Sequence, residues 1–385
     1  MLNRRILRIK AMQTLYSYVQ CQKSNYQLAI DQIAGDFLPD LNSMEPQDPV
    51  KLAAERETAT KLFKNSYKAG SVISEEPIAP KVMRSVAAAL NFYKVQVQKD
   101  YQFLSKGMVR EAEGIFDHYL KSLQLLVEFG DLARHDMEEK SRKKGVELAY
   151  EAKLVDNLLV DRLRRHELFK SESIRRNVRL DPDQLRQWYK LLVKDQVYLD
   201  YRELAERTDE KDIEIVNHIL RNFIFANEEL TAFFEEEDIN WTEDRTIVRS
   251  MAGKTLKALA EAENVALHEL SANWEDDRVF FEQLFQYTVE EDALSEVLIG
   301  ERTQNWDINR ITAVDRIILG MAISEMLHFS SIPVKVSINE YIELSKEYST
   351  PRSYNFVNGL LNSISESLSG EGKIRKSGRG LIDNK

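Results

Sequence analysis

Apolar residues along this chain recur at steps of three and four, and sustained alternation with a period of two is absent, so the pattern predicts helices and no sheet. Leu7, Ala11 and Leu15, four apart, are expected to face a core. Ile115, Tyr119, Leu123, Leu126 and Val127 share one helical face. So do Ile215, Val216, Ile219 and Leu220, and again Phe280, Phe281, Leu284 and Phe285. Towards the C-terminus, Ile311, Val314, Ile318, Met321 and Ala322 predict a helix capped by Asn305 or Asp307 and interrupted by Ser331-Ile332-Pro333. Ser337 with Glu340 three residues later reads as a capping box before Ile338, Tyr341, Ile342 and Leu344. Thr350-Pro351 ends that helix, and Phe356, Val357, Leu360, Leu361 and Ile364 predict a last one. The expected fold class is all-α.

The helix breakers divide the chain. Pro39, Pro46, Pro49, Pro77 and Pro80 crowd into one stretch, so about 35–80 reads as a connector with at most a short helix. No proline occurs at 81–181 or 183–332, which leaves room for helices of several turns. Asn240-Trp241 with Arg245 recurs 65 residues later as Asn305-Trp306 with Arg310, each after an amphipathic segment; this is either an internal repeat or a shared turn signal. From 370 onward there is no apolar face, and the segment is expected to be a disordered basic tail.

A length of 385 residues fits two or three globular units, and 43% hydrophobic residues suffice for real cores. The single cysteine, Cys21, excludes a disulfide framework and a cysteine-based zinc site. No segment reads as a signal peptide or membrane span, so a cytoplasmic location is expected, with no membrane contact. Gly253-Lys254-Thr255 ends like a phosphate-binding loop, but Val248 stands where the first glycine is needed and the segment reads as helix. The six histidines are scattered without metal-ligand spacing, and no nucleophile elbow appears, so neither metal, cofactor nor catalysis is expected.

The net charge of −10 conceals an asymmetry. The first 30 residues carry Arg4, Arg5, Arg8, Lys10 and Lys23 and no acid, so the remainder, with 48 basic and 63 acidic residues, carries −15. Arg5, Arg8, Met12 and Tyr16 follow helical steps on one stripe. Guanidinium groups beside an aromatic ring suit single-stranded RNA, because they bind phosphate while the ring stacks on bases. The same pattern also fits a solvated amphipathic helix whose basic start balances an acidic body.

Four stretches in order resemble the NusB family of transcription antitermination factors. Arg4-Arg5-Ile6-Leu7-Arg8 with Ala11, Gln13 and Leu15-Tyr16 is similar to the family's arginine-rich opening helix. Asn305-Trp306 with Arg310, Ile332 to Glu340, and Phe356 to Leu361 resemble its C-terminal signature. The resemblance covers about 1–30 and 275–369 and implies a helical bundle of two subdomains, without catalysis. It divides the chain into an N-terminal part at 1–274 containing a large helical insertion, a C-terminal subdomain at 275–369, and the tail at 370–385. It further implies binding of boxA-like single-stranded RNA from ribosomal RNA transcripts together with NusE, the small-subunit ribosomal protein, within the RNA polymerase antitermination complex. By position, Arg4, Arg5, Arg8, Gln13, Tyr16 and Phe356 would face RNA, and Asp315 and Arg316 would face NusE. Lys10 adds charge outside the motif. Two other readings remain open at this point: a helical adaptor whose acidic insertion binds a protein, and an RNA-modifying enzyme with a NusB-like domain.

Overall fold

The computed structural model describes residues 1–385 except 41, 43–45, 74–76, 145–152, 264, 304–310 and 383–385. The described residues form an all-α fold of fifteen α-helices without a strand, as the three-and-four periodicity requires. They divide into two compact units: Met1–Asn3 with Arg110–Asp277, and Arg4–Val109 with Arg278–Lys385. Residues 4–109 thus group with the C-terminal helices and not, as expected, with the rest of the N-terminal part. The opening helix clusters with the C-terminal helices, because its apolar face is buried in their unit.

The unit that holds the opening helix begins with α1 (Arg4–Asp36), α2 (Pro49–Ser66) and the first half of α3 (Pro80–Lys144). Asp48 caps α2, its carboxylate accepting from the Val50 and Lys51 amides, and Pro49 occupies the first turn, where its missing donor is harmless. The stretch read as a connector thus contains a packed helix of 18 residues, longer than the short one expected. Ala59 and Phe63 of α2 join Ala29, Ile33 and Phe37, with Val82, Val86, Ala89 and Leu90 of α3, in one apolar cluster. Proline broke the chain on both sides of α2 without preventing an apolar face between.

The same unit continues through most of α11 (Trp274–Glu290), then α12 (Asp292–Arg302), α13 (Ala313–His328), α14 (Val334–Tyr348) and α15 (Ser353–Gly370). Leu7 and Ala11 are fully buried and Leu15 nearly so, as are Ile318, Met321, Tyr341, Leu361 and Ile364. Helix α13 starts later than expected: Thr312 is its cap, accepting from the Asp315 amide. Asn305, Trp306, Asp307 and Arg310 lie outside the described residues, so the second copy of the repeat does too. Pro333 separates α13 from α14 as predicted.

The segment expected to be a disordered tail is ordered through Ile382. The tail supplies donors to carbonyls of the loop that follows α13. Lys376 Nζ donates to the Phe329 carbonyl at 2.9 Å, and the Ser377 amide to the Ser330 carbonyl at 3.0 Å. A Cβ on Gly380 would collide with the Ser330 carbonyl oxygen, so this close approach requires glycine. Composition showed no apolar face; it could not show these backbone acceptors.

The other unit holds the second half of α3 and helices α4 (Leu158–Arg165), α5 (Glu167–Arg175), α6 (Pro182–Leu192), α7 (Gln196–Glu203), α8 (Asp209–His218), α9 (Glu228–Glu237) and α10 (Trp241–Glu261). Its core contains Ile115, Tyr119, Leu123, Leu126 and Val127 of α3, as the periodicity predicts. Trp241 stacks on Phe234 at 4.3 Å between ring centroids. Gly253-Lys254-Thr255 lies inside α10, and the Thr255 hydroxyl shares a 2.7 Å hydrogen bond with the Tyr119 hydroxyl.

Candidate nucleic-acid interface

Helix α1 sorts its residues by angle. At about 100° per residue, Leu7, Ala11, Leu15 and Tyr18 fall on one side and are buried. Arg5, Gln13 and Tyr16 fall on the other. Tyr16 is 42% exposed, a large aromatic ring presented to solvent. The Arg5 side chain is 44% exposed, and Gln13 and Arg4 are half-buried. This stripe is acid-free, as the composition of the first 30 residues required.

Arg8 corrects the expectation. It lies about 60° round from Arg5 on an ideal helix, and its side chain is only 4% exposed. Met12, on the same expected stripe, is also buried. Arg8 Nε and Nη2 donate to Glu325 Oε2 and Oε1 of α13, both at 2.8 Å. Ser337 Oγ donates to Oε1 at 2.7 Å and Tyr341 Oη to Oε2 at 3.0 Å. The carboxylate, fully buried, thereby accepts two hydrogen bonds on each oxygen. A buried charge survives only when so matched. Arg8 therefore clamps α1 to α13 and α14.

Electrostatics agree with that geometry. Burial alone would depress the ionisation of the Arg8 guanidinium, but the Glu325 carboxylate outweighs it and holds the cation more firmly than usual. Burial, and then the Glu325 carboxylate, push the Tyr341 hydroxyl well above its ordinary range, so it stays a donor. The capping box expected of Ser337 and Glu340 is absent, since the Ser337 hydroxyl serves Glu325 and Pro333 occupies the cap position. Glu340 instead accepts from Arg5 Nε at 3.1 Å and lies 3.7 Å from Arg8 Nη1. Arg5 is thus held at the surface by a residue that the buried clamp also touches.

Arg4 packs its guanidinium 4.8 Å from the centroid of Phe280, whose ring also lies 5.3 Å from Arg8 Cζ. Lys10 is buried and does not present its charge to solvent. Phe356, in the second turn of α15, is half-buried. Asp315 corrects a second expectation: it is buried, and its Oδ2 accepts from Thr312 Oγ1 at 2.8 Å and Ser353 Oγ at 2.9 Å. It joins the start of α13 to the start of α15. Of the pair expected to face a protein partner, Arg316 alone is exposed.

Sequence reasoning missed Glu325 and Phe280 as the supports of the arginines. A signal existed: Glu325 is the one carboxylate in the apolar run from Ile317 to Met326, and an acid there demands a buried cation.

A model of the NusB family matches residues 246–366. The transcription antitermination protein NusB of Salinibacter ruber (strain DSM 13855 / M31) is 46% identical over 105 residues, which is 27% of this chain and 66% of that protein. That of Chloroherpeton thalassium (strain ATCC 35110 / GB-78) is 45% identical over 85 residues, 22% of this chain and 40% of its own length. That of Bacillus velezensis (strain DSM 23117 / BGSC 10A6 / LMG 26770 / FZB42) is 37% identical over 122 residues, 30% of this chain and 93% of its own. The chain therefore spans only part of the first two relatives and nearly all of the third. No solved structure matches it.

Proposed function

Because this chain belongs to the NusB family, we propose that it is a transcription antitermination factor binding boxA-like single-stranded RNA of nascent ribosomal RNA transcripts together with NusE. In this role it helps RNA polymerase read through terminators. The observation that carries the reading is the outer stripe of α1, acid-free up to residue 30, with Arg5, Gln13 and Tyr16 at the surface and Arg4 at the start of the helix. Arg4 and Arg5 neutralise phosphate, Gln13 offers both donor and acceptor to a base edge, and the Tyr16 ring stacks on a base for about 1–3 kcal/mol. Phe356 supplies a further aromatic face on α15, and Arg316 the charged contact to NusE. Arg8 acts on RNA only through the position of α1. The remaining chain, at −15, repels phosphate and steers the strand to this end.

The test is fluorescence anisotropy of a labelled boxA-like RNA, titrated with the full chain with and without NusE across a salt series. Binding that tightens with NusE and weakens with salt is expected. Binding to neither RNA nor NusE refutes the function.

A further inference from the structure

The C-terminal segment is basic, ordered and anchored at the arginine end of α1. Arg4 lies on Phe280, and Phe280 meets Phe329 edge to face at 5.1 Å. Phe329 offers its carbonyl to Lys376 at 2.9 Å. Lys376 also feels the Glu325 carboxylate, the partner of Arg8. The Ser377 amide and hydroxyl both bond Ser330, at 3.0 Å each. Three hydrogen bonds from Lys376 and Ser377, with the close approach of Gly380 to Ser330, therefore hold the tail against the loop between α13 and α14, on the end of the unit from which α1 begins.

The docking leaves charge at the surface. Arg375 and Arg379 flank the anchored Lys376 and Ser377; both are exposed and have no ion-pair partner among the described residues. The tail's one described acid, Glu371, is taken up by Lys373 at 2.7 Å. Lys335, in the first turn of α14, is exposed beside the same loop. A protein of net charge −10 that fixes guanidinium groups with no ion-pair partner among the described residues near the basic start of α1 has placed them where a polyanion would meet both.

We propose that the docked tail is a second phosphate-binding element for single-stranded RNA, in which Arg375 and Arg379 extend the strand's path beyond Arg4 and Arg5. This rests on the reading of α1 as an RNA-binding surface. The docking matters because a fixed guanidinium binds phosphate without the entropic cost of ordering a mobile chain.

The probe is a labelled boxA-like single-stranded RNA long enough to pass both elements, titrated against the full chain at several salt concentrations. Arg375→Ala/Arg379→Ala should lower the slope of log K against log salt by about 1.4, for two lost contacts on a single strand. That corresponds to about 25-fold in affinity for each tenfold change in salt. Ser377→Pro changes no charge, removes the amide that bonds Ser330, and cannot adopt the native φ of −142°. It should weaken binding too, with the arginines intact. Wild-type affinity and slope in Arg375→Ala/Arg379→Ala, while Arg4→Ala/Arg5→Ala loses binding, would overturn the tail element and leave the function standing. Wild-type affinity in Ser377→Pro alone would overturn the docked form. Absence of RNA binding in the unaltered chain overturns both readings.

Discussion

Replacing Arg8 by methionine separates two accounts of the opening helix. If Arg8 were an RNA contact, as its place in the arginine-rich stretch implies, the loss would be in affinity. In the structure it is a clamp, and the loss is in stability. The guanidinium gives two charge-assisted hydrogen bonds at 2.8 Å to a carboxylate with no solvent exposure. Each such bond contributes about 1.5–3 kcal/mol. Removing one partner of a buried pair leaves the other charge uncompensated, at a cost of about 3–5 kcal/mol. Ser337 and Tyr341 remain as donors to Glu325, which keeps the cost within that range and not above it. Because the chain has two compact units that need not unfold together, the suitable readout is hydrogen exchange of α1 amides at fixed pH. Exchange there should accelerate roughly 100- to 3,000-fold, at about 1.4 kcal/mol per factor of ten. Arg8→Met/Glu325→Leu should be less destabilised than the two single variants summed, by at least about 2 kcal/mol, since no lone buried charge remains. Exchange unchanged in Arg8→Met, together with a shallower salt dependence of RNA binding, would refute the clamp.

Other contacts are open to single variants. Tyr341→Phe removes the 3.0 Å donor to Glu325 and should destabilise the α1 amides by about 1.5–3 kcal/mol in the same exchange experiment. Asp315→Ala cuts the link from Thr312 to Ser353 and should cost about 1–2 kcal/mol, read as faster exchange at the starts of α13 and α15, whereas Arg316→Ala should weaken NusE without that loss. Gly130→Ala in α3 would place a Cβ 2.9 Å from Val160 Cγ1 of α4 and should destabilise that unit by about 1–3 kcal/mol, measured by urea unfolding. Burial pushes the Lys376 ammonium down to about 8, with Glu325 opposing, so docking is weakest while the lysine is charged in both states. It should tighten as pH rises from about 8 towards the free value of 10.5, where only the undocked tail still binds the proton. A lysine 13Cε titration near pH 8 that returns to the ordinary range in Ser377→Pro checks this.

Much of the fold was legible because burial of a helix demands a three-and-four pattern. Leu7, Ala11 and Leu15, or Ile115 through Val127, could be assigned to cores without coordinates. Angular position within α1 was harder to read. Steps of three and four admit Arg5, Arg8, Met12 and Tyr16 to one stripe, yet packing turns Arg8 and Met12 inward and leaves Arg5 and Tyr16 outside. The partner that makes this possible, Glu325, is 317 residues away in sequence, and no local rule pairs them. Asp315, assigned to a partner surface only by its place in the resemblance, is buried for a similar reason: Thr312 and Ser353 give it donors inside. The tail failed differently, since its order comes from backbone carbonyls of another loop, which composition does not encode.

The central claim is that RNA lies along the outer stripe of α1. Photo-crosslinking of a 4-thiouridine-substituted boxA-like RNA to the full chain in the presence of NusE, with crosslinked peptides identified by mass spectrometry, tests it directly. Crosslinks are expected at Tyr16 and its exposed neighbours on α1, lost in Arg4→Ala/Arg5→Ala. Crosslinks confined to residues 110–277, unaffected by those substitutions, would contradict it.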